Sequence, residues 1–415
     1  MMKDQILGHL NHPGELEKLY RSNKSLFRRE FNSLYPEIQG SRFAVFWNER
    51  LNYERDEINW ANRRELIFVV IAIIVAGLTA KLPAFLHIDE EYFYTRNAGF
   101  IIFPALSVYF AWRNKRSTGK IAIIAGLALA GLLFINWLPD TPKSDTLMLS
   151  CMHMAFFLWS LLGFAFVGGK DSNGEKRLAW LCFNGDLVVM SALIAIAGFI
   201  LCGVTAGLFS LIGFNVEKLY QDFLLPFGLP AVPVLGTYLT QTNPNLVGKV
   251  SPVIAKIFCP LVLGMLIIYL VAIVITGKDL YNDRDFLIVF NALLIGVMAI
   301  IFFSVAESTK TTNSKIEIWT LALLSTATII VNSFALSAIL FRISEWGLTP
   351  NRAAVLGSNV LILVNLLLVT VLLFRVLIGK NEITEVGKVI TYYLPVYFIW
   401  STIVIFLFPF LFGFK

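Results

Sequence analysis

The chain has 415 residues, 57% of them hydrophobic and only 15% charged, with a formal net charge of +6. Soluble domains carry about 25% charged residues, so a water-soluble fold this apolar lacks the polar side chains to cover its own surface, and lipid must solvate most of it. The first 65 residues hold 11 Lys/Arg against 10 Asp/Glu, a near-balance that excludes a nucleic-acid partner.

Residues 1–65 read as a small helical head. Leu16, Leu19, Tyr20, Phe27, Phe31 and Leu34 recur at helical spacing, with Pro13-Gly14 before them and Pro36 closing the run. Phe43, Phe46, Trp47, Leu51 and Ile58 mark a second helix. Two such helices form a hairpin with little core of its own. A cap on a membrane domain, a dock for a cytoplasmic protein and a bilayer-surface helix all remain open for it.

Residues 66–415 read as a polytopic transmembrane domain, which makes the chain all-α. Apolar runs long enough to cross about 30 Å of hydrocarbon lie at 66–86, 98–112, 120–138, 147–167, 186–213, 252–276, 284–306, 316–341, 352–378 and 389–412. Whether 222–241 crosses decides between ten and eleven spans. The first apolar run starts near Leu66, so no cleavable signal peptide is expected and the first span serves as an uncleaved anchor. Links rich and poor in Lys/Arg alternate through the first half: Asp89, Glu90 and Glu91 with one Arg96, then Arg113, Lys115, Arg116 and Lys120, then Lys143 alone, then Lys170, Lys176 and Arg177. This pattern places the N-terminus in the cytoplasm. In the second half the charges split evenly if 222–241 crosses, and the C-terminus is then outside.

Three groups of residues could carry chemistry. In Leu224 to Pro244, Pro226, Pro230 and Pro233 interrupt the helical ladder. Broken helices at membrane depth line transport sites, with Thr237, Thr240, Gln241 and Asn243 as the polar lining. In Arg342 to Arg352, Gly347 suits a helix stop and Thr349-Pro350 a helix start. There Arg352 calls for an anionic partner, Glu345 or a lipid phosphate, and Arg342 is spaced to pair with Glu345. Within spans, His153 is a candidate proton relay and is grouped with Pro226, Pro230, Pro233, Thr237 and Gln241 as the candidate substrate site, Asn291, Asn332 and Asn365 are helix glue, and Lys81 can snorkel. Asn184 and Asp186 read as caps, and Glu307 as a solvent-exposed span end. Cys151, Cys182, Cys202 and Cys259 form no CxxC pair, so neither metal, cofactor nor disulfide framework is expected. No P-loop, HExxH, GxSxG or Rossmann fingerprint is present, which leans against an enzyme.

Several stretches carry a family resemblance: LEKLYRSNKSLFRREFNSLYPEI in the head, FWNERLNYE at Phe46 to Glu54, RNAGFIIFPALSVYFAW at Arg96 to Trp112 and EWGLTPNR at Glu345 to Arg352. Together they resemble the bacterial membrane family catalogued as domain of unknown function 4153. The resemblance implies a bacterial inner-membrane location and this multi-span architecture, and no activity. From the residues, three functions stand. The first is permease-like handling of a small molecule, ion or lipid. The second is a membrane-embedded sensor or assembly partner docking a soluble protein through residues 1–65. The third is an enzyme acting on a lipid-linked substrate, gripped by Arg342, Glu345 and Arg352. Membrane lipids are the expected surroundings, and no oligomeric state can be read.

Overall fold

The computed structural model describes residues 2–22, 24–53, 63–141, 143–168, 174–211, 216–244, 250–276, 284–309 and 315–415. They fall into two compact units, Met1–Trp60 and Ala61–Lys415.

The first unit has four helices where two are expected: α1 (Met2–Gly8), α2 (Pro13–Ser22), α3 (Lys24–Ile38) and α4 (Arg42–Tyr53). Pro36 lies inside α3. Two residues from the helix end, it removes only one ladder bond there. Ile6, Leu16, Tyr20, Phe27, Phe31, Leu34, Ala44, Trp47 and Leu51 form one buried cluster, so this unit does hold a core of its own. On α4 the inward stripe is Ala44, Trp47 and Leu51, spaced i, i+3, i+7, while Phe43 and Phe46 are exposed. The expected stripe is off by one residue at its start, and its Ile58 lies outside the described residues. Glu17 joins α2 to α4: Oε1 accepts from Arg21 at 2.8 Å and Oε2 lies 2.8 Å from Arg50 Nη2. The bond from Arg21, with Arg50 beside it, holds the Glu17 carboxyl below the usual carboxylate range.

The second unit is a helical bundle: α5 (Arg63–Ala80), α6 (Leu82–Leu86), α7 (Glu90–Arg113), α8 (Thr118–Trp137), α9 (Asp145–Val167), α10 (Gly174–Leu211), α11 (Glu217–Leu219), a π turn (Tyr220–Leu224), α12 (Leu225–Thr242), α13 (Ser251–Thr276), α14 (Arg284–Ser308), α15 (Lys315–Trp346), α16 (Pro350–Leu377), α17 (Ile383–Phe406) and α18 (Phe408–Leu411). Among the described residues eight helices are long and apolar enough to cross a membrane: α8, α9, α10, the α11–α12 unit, and α14 to α17. The chain is an integral, multi-pass, all-α membrane protein.

Cross-contacts sort the helix ends into two sets. At one end Arg113 pairs with Glu65, Arg113 Nη2 donates to the Gln241 carbonyl at 2.9 Å, and Arg116 donates to the Ala165 and Phe166 carbonyls. At the other, Lys81 Nζ sits 4.1 Å from the Phe223 ring centroid, the Tyr94 hydroxyl donates to the Ala80 carbonyl, and the Thr146 amide donates to the Lys415 carbonyl at 2.9 Å. The stretch 222–241 therefore runs from the Lys81 end to the Glu65 end as a crossing helix. The Thr146–Lys415 bond places Lys415 at the end opposite Glu65.

The broken helix expected over Leu224 to Pro244 does not form. Pro226 opens α12, where its missing donor is not needed. The carbonyl its ring would strike, that of Asp222, lies in the π turn, where the Leu225 amide donates to Tyr220 instead. The wider turn makes room for the ring. Pro230 and Pro233 sit within the continuing helix. Three expected span starts also move outward, to Glu90 for α7, Gly174 for α10 and Ile383 for α17. Asn184 and Asp186 are thus mid-helix and cap nothing.

A helix buried in lipid must find donors for its last carbonyls. Here arginines supply them at four ends. Arg96 Nη1 donates to Ile135 in the last turn of α8 and to Leu138 just beyond it, Arg116 to the last turn of α9, Arg113 to Gln241 in α12, and Arg352 Nη1 to Trp346 at the end of α15 and to Gly347 after it. A cation at a helix C-terminus also complements the dipole.

Candidate functional site

Side chains of α9, α10 and α17 enclose a cleft of about 90 Å³. Three separate stretches supply it: Trp159 to Gly168 from α9 and its C-cap, Arg177 and Trp180 from α10, and Thr391 to Phe398 from α17. The helical spacing explains each contribution. Trp159, Gly163 and Val167 recur on one face of α9, and Arg177 and Trp180 are one turn apart on α10.

The walls are aromatic and held rigidly. Trp159 Nε1 donates to Asn184 Oδ1 at 2.7 Å, and the Trp159 and Trp180 ring centroids are 5.7 Å apart. The cation lies at the Thr391 end of the cleft. Arg177 Nη1 donates to the Thr391 carbonyl at 3.3 Å, and its guanidinium carbon is 5.6 Å from the Tyr392 ring centroid. Arg116, just beyond, is bonded to the Phe166 carbonyl at 2.6 Å. Burial lowers its pKa from the usual arginine value, but not enough to discharge a guanidinium near neutrality. Thr391 and Phe398 are seven residues apart on one helix, so the cleft extends about 10 Å along α17. Phe164 lines it yet is 51% exposed, so the cleft opens on the flank of the bundle. A cleft at the Glu65 end with a cation at one end and apolar, aromatic walls along the rest is shaped for an amphiphile.

The residues singled out from the sequence are placed elsewhere. Pro226, Pro230, Pro233, Thr237 and Gln241 share α12. Thr237 is buried, its Oγ1 has no partner, and the Gln241 carbonyl is taken by Arg113. His153 is not with them. It lies on α9, which packs mainly on α7 and α17, and its Nδ1 meets the Leu149 carbonyl of its own helix at 2.9 Å. Hence α12 and His153 do not converge on one pocket. The 345–352 hairpin forms as expected, with Gly347 at φ +76° and Thr349 Oγ1 accepting from the Arg352 amide. Its charges do not pair as expected. Among the described residues Glu345 forms no ion pair with Arg342 or Arg352, because Arg352 turns back onto the carbonyls ending α15.

No family model, no curated protein and no solved structure matches the chain. The chemistry of the bundle is therefore read from its own residues.

Amides tie α14 to α17 together. Asn359 Nδ2 donates to Asn291 Oδ1, Asn332 Nδ2 to the Asn359 carbonyl, and Asn365 Nδ2 to the Tyr397 hydroxyl. Thr370 and Ser325 hydroxyls meet at 3.0 Å. This seam is bonded across helices as the glue reading anticipates. Glu307 is a correction: it is buried at 3%, since the last turn of α14 packs inward against its neighbours. The cleft residues Trp159, Arg177 and Trp180 went unnoticed in sequence. Arg177 counts there as a topogenic charge, and the tryptophans carry no local motif.

Proposed function

We propose that the protein is a permease-like membrane protein that handles an amphiphilic anion, admitted through the cleft between α9, α10 and α17. The observation that carries this reading is the pairing of the Arg177 cation at one end with an aromatic cleft about 10 Å long. An anionic head meets the guanidinium, and an acyl or alkyl chain lies along Trp159, Trp180 and Phe398. Placing the Glu65 end in the cytoplasm rests on Arg63, Arg64, Arg113, Lys115, Arg116 and Arg177 there, against Asp89, Glu90 and Glu91 at the other end. We further assign the chain to the multi-spanning bacterial family named above, on the residues quoted for it, which carries an inner-membrane location and no activity.

The test uses a photoreactive long-chain alkyl sulfonate, whose permanent charge prevents unaided crossing of lipid. With the protein reconstituted in vesicles, crosslinks are expected on peptides covering 159–168, 177–180 and 391–398, together with protein-dependent uptake. Arg177→Gln should weaken both about tenfold, the effect of losing one charge-assisted contact. Ser160→Phe, which fills the slot, should abolish both. Labelling spread evenly over the lipid-facing helices and unchanged by Ser160→Phe would contradict the reading.

A further inference from the structure

We propose that Arg342, Trp346 and Arg352 form a binding site for the phosphate of a lipid headgroup at the Lys81 end of the bundle. The Arg342 guanidinium carbon lies 5.3 Å from the Trp346 ring centroid, and that of Arg352 lies 5.6 Å from the same centroid. One indole thus gathers two like charges. Neither arginine makes an ion pair among the described residues. Arg342 Nε is closed off from solvent and has no hydrogen-bond partner. Arg352 commits Nη1 to the Trp346 and Gly347 carbonyls, at 2.9 and 2.6 Å, so its other guanidinium nitrogens remain for a ligand.

Two neighbouring cations, one of them with an unmet donor, call for an anion with several oxygens, and a phosphodiester presents two charged ones to guanidinium forks. The surroundings select a lipid over a free ion. Phe341, Trp346 and Leu348 are exposed around the pair, forming an apolar skirt on which acyl chains can rest. Only residues 347–349 separate α15 from α16, so both helices end at the level where headgroups lie. Glu345, though exposed nearby, pairs with neither arginine and leaves the charge uncompensated by the protein itself. This site lies at the opposite end of the bundle from Arg177 and does not depend on the cleft.

The experiment is a titration of the delipidated full chain in neutral detergent, with binding read by native mass spectrometry and by the lipid-dependent rise in Tm. Three probes are compared: phosphatidylglycerol, diacylglycerol with the same chains, and inorganic phosphate. Phosphatidylglycerol should bind and raise Tm, whereas the other two should do neither at equal concentration. Arg342→Gln should raise the apparent Kd for phosphatidylglycerol about tenfold, in the wild-type and the Arg177→Gln background alike. Lys120→Gln should leave it unchanged. Arg352→Gln also removes a helix cap, so Arg342→Gln, which touches no capping bond, carries the test. Unchanged phosphatidylglycerol binding by Arg342→Gln overturns the site. Equal stabilisation by inorganic phosphate through the same arginines overturns its assignment to lipid.

Discussion

Arg96→Ala should destabilise the bundle by on the order of 3 kcal/mol, because two helix-terminal carbonyls lose their donor inside the protein. The Arg96 side chain is 1% exposed, and it reaches Ile135 O at 2.7 Å, Leu138 O at 3.1 Å and Asp140 Oδ1 at 3.1 Å. Its guanidinium carbon is 4.4 Å from the Tyr92 ring centroid. Alanine leaves both carbonyls unsatisfied and opens a gap between α7 and α8. Lysine, with one compact ammonium, cannot span the same acceptors and should restore less than half of the loss. Asp140 is the exposed partner, at 74%. Asp140→Asn should therefore cost no more than about 1 kcal/mol, as for other surface ion pairs. Steric-trap or denaturant unfolding in bicelles measures all three. Equal, small losses for Arg96→Ala and Asp140→Asn would mean that the ion pair, not the capping, is what Arg96 provides.

Gly357→Ala should cost about 2 kcal/mol, within the range for overpacking a close contact. A Cβ at Gly357 would lie 2.1 Å from Cη2 and Cζ2 of Trp400. That ring cannot swing away cheaply, since Trp400 Nε1 donates to Ser358 Oγ at 3.0 Å and Phe408 packs edge-on at 5.9 Å. The six-membered rim of the indole is the colliding part, so Trp400→Phe should make room at the cost of one hydrogen bond. The double variant should then be more stable than the sum of the two single losses by about 1–2 kcal/mol. Strict additivity in that cycle would show that α16 and α17 do not approach through Gly357.

The class of fold was legible because hydropathy is a property of long windows, and most of the spans were found within a few residues. What hydropathy misplaced were helix starts that carry charge. α7 begins with Glu90-Glu91 and contains Arg96, which an apolar window rejects, yet Arg96 is at home there because it meets carbonyls of α8. Prolines misled in the other direction. Three of them in Leu225–Thr242 argue for a broken segment, but a π turn one residue upstream accommodates the first. The Gly347–Thr349–Pro350 hairpin was legible because both its signals are local. Arg352's partner was not, because that partner is backbone, which no residue code reveals. The cleft stayed hidden for a similar reason: its walls come from stretches more than 200 residues apart, from Trp159 to Phe398. Nothing local in any one of them marks a shared surface.

The run of Glu217–Thr242 from the Lys81 end to the Glu65 end is the arrangement on which the sidedness of the later helices rests, and cysteine labelling reads it directly. With Cys151, Cys182, Cys202 and Cys259 replaced by alanine or serine, single cysteines at Lys115, Lys143 and Lys415 are treated with a membrane-impermeant maleimide in intact cells. All three positions are exposed. Lys143→Cys and Lys415→Cys should label at once, and Lys115→Cys only after permeabilisation. A cysteine at 415 that behaves like the one at 115 would place both ends of the bundle chain on one side and contradict the crossing of Glu217–Thr242.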